Sequence, residues 1–294
     1  MLGLGMLALA ACGGMLADDE KTTSTNDPHD GGASTSPPSS PPSSGPDAGP
    51  PALEAEIASL AGLALWLDAT KGISLDGDGS GVAAWADQSP EHNDLVFHEG
   101  HGARANESLD AEGGSNAVFF DGSTSYAITP SAKLASWGGD FFVAAVVRPT
   151  IENDFNSGIF GCYGAQPSVP GHTLTQFYVT YAHHAAVDVE ADGYAESALT
   201  STLVDAPVVL SFWRAGSVLQ ARRNGVVEDT QTFDHTTTPK CTQAFVGALP
   251  ADGTSQTDAL FTGWLAELVV VQGRLDGSSG MLIEQGLLAK YNLH

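Results

Sequence analysis

Residues Gly62–Leu95 read GLALWLDATKGISLDGDGSGVAAWADQSPEHNDL. The apolar residues come in short runs cut by Gly, Asp, Ser and Pro. Leu63-Ala64-Leu65-Trp66-Leu67 is too short for a globular helix and reads as a strand. Val82–Asp87 alternates weakly, and the Gly- and Asp-rich stretch before it reads as a turn. The same pattern continues outward. Ala117–Phe120 and Ser125–Thr129 flank Asp121-Gly122-Ser123, which predicts a hairpin. DFFVAAVVRP (Asp140–Pro149) is a nearly continuous apolar strand. Further strands are expected at Gly158–Tyr163, Leu174–Ala182, Pro207–Arg214, Val218–Arg223, Ala244–Ala248 and Phe261–Val271. Arg223-Asn224-Gly225-Val226 carries the Asn-Gly pair of a tight hairpin. Leu53, Ile57 and Leu60 predict no more than a helical turn, and a closing helix begins near Asp276 or Ser278. Short strands separated by turn residues, without an internal repeat, predict an all-β, two-sheet antiparallel sandwich.

Three phrases carry a resemblance. They are the opening stretch, VFFDGSTSYAI (Val118–Ile128), and GWLAELVVVQGRL (Gly263–Leu275) with the LLAKYNL that follows it (Leu287–Leu293). Together they resemble the concanavalin A-like, laminin-G-type (LamG) jelly roll of exported bacterial proteins. The resemblance covers Ala61–Leu293. DFFVAAVVRP is similar to a core strand of that family, and Asn224-Gly225 falls at its Asn-Gly hairpin. Ser89-Pro90-Glu91-His92-Asn93-Asp94 departs from the family's usual turn. The resemblance implies a jelly-roll binding scaffold for extracellular carbohydrate. Some relatives are glycosidases.

The chain has 294 residues, 35 Asp and Glu against 11 Lys and Arg, and a formal net charge of −24. Such a surface repels polyanions, which argues against nucleic acid as a partner. The acidity serves solubility or draws cations. Met1–Ala11 is an apolar run of signal-peptide length. Leu9-Ala10-Ala11-Cys12 resembles a bacterial lipobox, although no Lys or Arg precedes it. That resemblance implies lipidation of Cys12, anchoring to a membrane, and, with Gly13 next, the outer membrane or cell surface. Residues 13–51 are rich in Ser, Pro, Gly and Asp and hold little to bury, so they read as a disordered tether. At about 3 Å per residue in a polyproline conformation, it spans tens of ångströms. The expected organisation is a signal segment 1–12, a linker 13–51 and a single domain 52–294.

Two cysteines remain, Cys162 and Cys241. Export favours a disulfide between them, and two buried thiols are the alternative. Catalysis has weak support. Retaining glycosidases need two carboxyl groups about 5 Å apart. The nearest run, Glu190-Ala191-Asp192-Gly193-Tyr194-Ala195-Glu196, is one residue too long and holds a glycine. The chain is read as not an enzyme, with a divergent polysaccharide-degrading enzyme as the second alternative. His183 and His184, adjacent on an expected strand, point to opposite faces. His98 and His101 lie in an expected loop without zinc-ligand spacing. Asp76, Asp78, Ser80 and Asp87 stand at positions one, three, five and twelve of a calcium-loop pattern. A Gly-rich β-turn is the competing reading. For sugar binding, Phe177, Val179 and Tyr181 are expected to face the core. Gln176 and Tyr178 are expected on the concave sheet, near Gln220 and Arg222 of a neighbouring strand, with Trp137 as a loop platform. The partner is a glycan or, alternatively, a surface protein.

Overall fold

The computed structural model describes residues 50–98, 103–110, 114–129, 134, 139–150, 157–163, 173–180, 183–190, 194–232, 243–250 and 257–294. The chain opens with α1 (Pro50–Ala58), followed by β1 (Leu63–Asp68), β2 (Ile73–Leu75), β3 (Val82–Trp85), β4 (Leu95–His98), β5 (Arg104–Ser108), β6 (Asn116–Asp121) and β7 (Tyr126–Thr129). Next come β8 (Phe141–Pro149), β9 (Ser157–Tyr163), β10 (Thr173–Val179), β11 (Ala185–Glu190), β12 (Tyr194–Ala198), β13 (Val208–Ala215), β14 (Val218–Arg223) and β15 (Val226–Thr232). It closes with β16 (Gln243–Val246), β17 (Leu249–Pro250), β18 (Thr257–Asp258), β19 (Thr262–Gln272) and α2 (Gly277–Lys290).

The strands form two large antiparallel sheets, as the sequence predicts, and β17 pairs with β18 in a separate two-stranded ribbon. The first has eight strands in the order β15-β14-β13-β8-β19-β6-β5, with β1 also pairing β19. The second has nine, in the order β12-β11-β10-β9-β16-β7-β4-β3-β2. Alternate residues of each strand face the space between the sheets. Phe177 of β10 lies at the middle of that core. Its ring meets Phe212 at 5.3 Å and Phe141 at 5.8 Å from the opposite sheet, and Phe160 at 5.7 Å from its own.

The unbroken apolar run of β8 has a physical reason: both of its faces are covered. Phe141, Val143, Ala145 and Val147 enter the central core. Phe142, Ala144 and Val146 enter a second apolar layer with Leu53 and Ile57 of α1 and Ile283 and Leu287 of α2. The two helices therefore cap part of the outer face of the eight-stranded sheet. Asp276 caps the N-terminus of α2, accepting from the backbone of Ser278 and Ser279, at the position the sequence indicates.

Beneath this cap lies a buried ionic cluster. Lys290 Nζ donates to Asp68 Oδ2 at 2.9 Å and Glu267 Oε2 at 2.7 Å. Trp66 Nε1 donates to Glu267 Oε1 at 2.8 Å, and the Tyr291 hydroxyl to Oε2 at 3.0 Å. Burial pushes the Glu267 carboxyl up. Burial also acts to raise Asp68, but bonds from Thr70 and Lys290 outweigh it and hold the carboxyl low. Lys290 is lowered by burial and raised more strongly by Glu267 and Asp68. A second ion pair, Arg222 to Glu284 at 2.7 Å, ties β14 to α2.

Three local expectations are corrected. Asp121-Gly122-Ser123 does not close a hairpin: β6 pairs β19 in one sheet and β7 pairs β4 and β16 in the other. The turn carries the chain across the sandwich. The Asp121 carboxylate organises it, accepting from the backbone N–H groups of Ser123, Thr124 and Ser125. Leu53, Ile57 and Leu60 belong to a full helix and its exit, because α2 supplies the packing partner that local pattern cannot show. His183 and His184 lie in the β10–β11 connection, His183 with φ 63°, and not on a strand. The Asn224-Gly225 hairpin forms as expected, with φ 48° and 78°. A β-carbon at Gly225 would be strained by that positive φ.

Candidate functional site

With helices over much of the eight-stranded sheet, attention passes to the outer face of the nine-stranded sheet. Among the described residues no helix lies on it. Its register lines residues up across all nine strands. One row of register partners runs Glu196, Asp188, Gln176, Gly161, Phe245, Ile128, Val96, Ala84, Ser74. Its residues are apolar on β16, β7 and β4.

The open part of this face lies on β4 and β7. Val96 is 50% exposed, and Ile128 beside it is half-buried. In the next row His98 pairs with Tyr126, their rings stacked at 4.9 Å and 13°. Phe245 of β16 is buried beneath, its ring 6.4 Å from Tyr126. The result is an aromatic and aliphatic platform on two paired strands. Such a surface can stack on the apolar face of a ring and bond its polar edge.

At the other end, Phe177 and Val179 face the core as expected. Tyr178 points outward but is covered: it packs against Ala186 and Leu249 and is 5% exposed. Its hydroxyl donates to Glu196 Oε2 at 2.6 Å. The cover comes from β17, which passes so close to β9 that a β-carbon at Gly158 would lie 2.5 Å from the Leu249 nitrogen. Tyr178 therefore supports the face and is no platform. Gln176 keeps its register position opposite Asp188 and Gly161. Tyr181 and Trp137 lie outside the described residues.

Gln220 and Arg222 do not join Tyr178. They lie on β14, which is in the other sheet. Gln220 donates to Thr230 at 3.3 Å. The Arg222 guanidinium is bound to Glu284 at 2.7 and 2.9 Å and lies 5.2 Å from the Trp213 ring. It fastens the C-terminal helix. Alternation on one strand is visible in sequence; which sheet a strand enters is not.

The calcium-loop residues are also separated. Asp76 and Asp78 both accept from Ser80 N at 2.9 Å, and Gly79 N donates to Asp76 O at 3.0 Å, closing a β-turn between β2 and β3. Asp87 is elsewhere and fully engaged. It accepts from Trp66 N at 2.8 Å, Ser89 N at 2.8 Å, Ser89 Oγ at 2.5 Å and Asn93 N at 2.7 Å. Those bonds lock the Ser89–Asn93 loop to β1. Among the described residues no three His, Cys, Asp or Glu side chains are grouped to hold a metal.

Cys162 is buried in β9. Its expected partner Cys241, like Cys12, His101, Asp192 and residues 13–49 of the expected tether, lies outside the described residues; Pro50 and Pro51, expected in the tether, open α1. Glu190 ends β11 and Glu196 lies within β12, so the acidic run spans a hairpin and not one strand.

No protein-family model and no curated protein matches the chain. Solved structures do. The ligand binding domain of botulinum neurotoxin serotype D, in complex with N-acetylneuraminic acid, aligns with a TM-score of 0.55 at 8% identity, over 81% of this chain and 53% of that one. The binding domain of Paraclostridial Mosquitocidal Protein 1 gives 0.55 at 10% identity, over 77% and 52%. Trypanosoma rangeli sialidase with the inhibitor DANA gives 0.51 at 16% identity, over 77% and 33%. This chain spans about half the length of the first two and a third of the sialidase. At identities this low the likeness is one of fold alone, a two-sheet β-sandwich.

Proposed function

We propose that this chain is a non-catalytic carbohydrate-binding protein of the LamG and concanavalin A-like class. It binds glycan on the outer face of the nine-stranded sheet, at the platform of Val96, His98, Tyr126 and Ile128. The observation that carries the reading is the stacked His98–Tyr126 pair beside the exposed Val96 on an open sheet face. In support, the similar toxin domain was solved with a sialic acid and the sialidase with an inhibitor. Only part of each of those chains aligns, so their ligands guide the choice of probe and no more.

The proposal includes export, lipidation at Cys12 and display on a tether formed by residues 13–51. It also includes a disulfide from Cys162 to Cys241. In support, Cys241 stands three positions before Ala244, the residue that pairs with Cys162. A glycan array of the full chain, with calcium and with chelator, tests the binding. A sugar hit that is lost in Tyr126→Ala supports the platform. No hit on any glycan turns the reading to a protein partner, for which the contiguous apolar surface of Val96 and Ile128 is the favouring observation. Retention of a Cys12→Ser variant in the membrane fraction would refute the anchor.

A further inference from the structure

We propose that the uncapped half of the outer face of the eight-stranded sheet is a second binding surface, for an extended polysaccharide bearing carboxylates. The outward residues of β8 run Phe142, Ala144, Val146 and then Arg148. The first three lie in the apolar layer shared with α1 and α2; with Arg148 the character of the face changes. There the register aligns Arg104 of β5, Phe119 of β6, Trp264 of β19 and Arg148 of β8 in one row.

The row is a continuous stack. The Arg104 guanidinium lies 4.4 Å from the Phe119 ring, Phe119 is 4.8 Å from Trp264, and the Arg148 guanidinium is 4.6 Å from Trp264. Aromatic faces hold both planar cations against the sheet. Each is also fixed from one side through Nε, Arg104 to Glu107 at 2.8 Å and Arg148 to Asp205 at 2.7 Å. Their terminal nitrogens have no partner among the described residues. A chain with 11 cations against 35 anions thus places two oriented guanidinium ends on one row.

The chemistry selects the ligand. Glu107 and Asp205 each occupy only the Nε side of their arginine; the terminal N–H groups remain as donors, and a carboxylate meets a guanidinium end with two parallel bonds. The two cations stand three strand spacings apart, about 14 Å. A stiff polymer with repeating carboxylates can reach both while it crosses the ring edges of Phe119 and Trp264 between them. The rest of the surface is acidic and opposes the approach of such a polymer. Association should therefore quicken as salt is raised toward about 0.1 M, opposite to a generic basic patch.

The test measures binding of the full chain to immobilised polygalacturonate, its carboxyl-reduced form and poly-glutamate. Polygalacturonate alone should bind. Arg104→Gln and Arg148→Gln should each weaken binding about tenfold or more. Arg148→Lys should fail to restore it, because an ammonium keeps the charge without the planar fork. Tyr126→Ala should leave it unchanged, which separates this surface from the platform on the other sheet. Thermal melts of each variant establish folding. Absence of polygalacturonate binding at millimolar sugar, equal binding to the reduced polymer or to poly-glutamate, or full binding by the folded double Gln variant would each overturn the proposal.

Discussion

Single side chains divide here into those that hold the sandwich and those that face outward. Phe177 belongs to the first group, touching aromatic rings from both sheets. Phe177→Ala should cost about 3–5 kcal/mol in a denaturant titration, since so enclosed a site cannot collapse around the cavity. Tyr126 belongs to the second. Tyr126→Ala should lower affinity for any glycan the array identifies by about tenfold or more, while changing the midpoint of unfolding little. Asp87 stands at a calcium-loop position in the sequence, and in the fold its carboxylate is the hub of the loop after β3. Its two oxygens already accept four hydrogen bonds from β1 and the loop after β3. Added calcium or chelator should therefore leave the melting temperature unmoved; a shift of several degrees with calcium would show a site that those bonds do not account for.

At the level of elements, the capping helices show how far pattern reading extends. The closing helix and its Asp276 cap were legible because capping is local chemistry. The first helix was not, because its apolar residues acquire meaning only against α2. The crossing at Asp121 misled for the same reason: a tight Asp-Gly turn looks alike whether the next strand pairs with the last one or enters the opposite sheet. Arg222 and Glu284 supply the test of how the helix is held. Glu284→Ala should cost about 3–5 kcal/mol by leaving a buried guanidinium unpaired. Replacing both partners by Met and Leu should cost far less, because the burden of burying either charge is removed. Comparable losses from the single and double variants would show that packing, and not the charge, fastens α2.

For the whole molecule, two sheets and their approximate strands could be read from short apolar runs and turn residues. The site was only partly legible. Tyr126 and His98 lie 28 positions apart, and nothing local shows that their strands pair. Gln220 and Arg222 alternate properly on their strand but face away from the expected surface. Stability against pH follows from the buried charges, with the signs set by each shift. Asp68 and Asp121 are held below the ordinary aspartate value of 3.8. Their contribution is complete above that value and is lost as pH falls through their lower folded values. Glu267, pushed up by burial, works the other way and softens the acid loss. Lys290 is raised above 10.5, so its contribution is present below that value and fades as pH climbs through the folded one. Melting temperature should be nearly flat from about pH 5 to 10 and fall on both sides. A maximum near pH 3 would contradict these assignments.

Because α1 and α2 pack side by side on one broad side of the sandwich, the described chain begins and finishes there. The platform of β4 and β7 looks the opposite way. A reporter fused at residue 294, or a bead coupled at that end, would stand behind the molecule and leave the platform unobstructed. The same arrangement invites rewiring: a short peptide joining residue 294 back to residue 50, with new ends cut at Asn224-Gly225, would keep both helices seated while changing where the polypeptide starts.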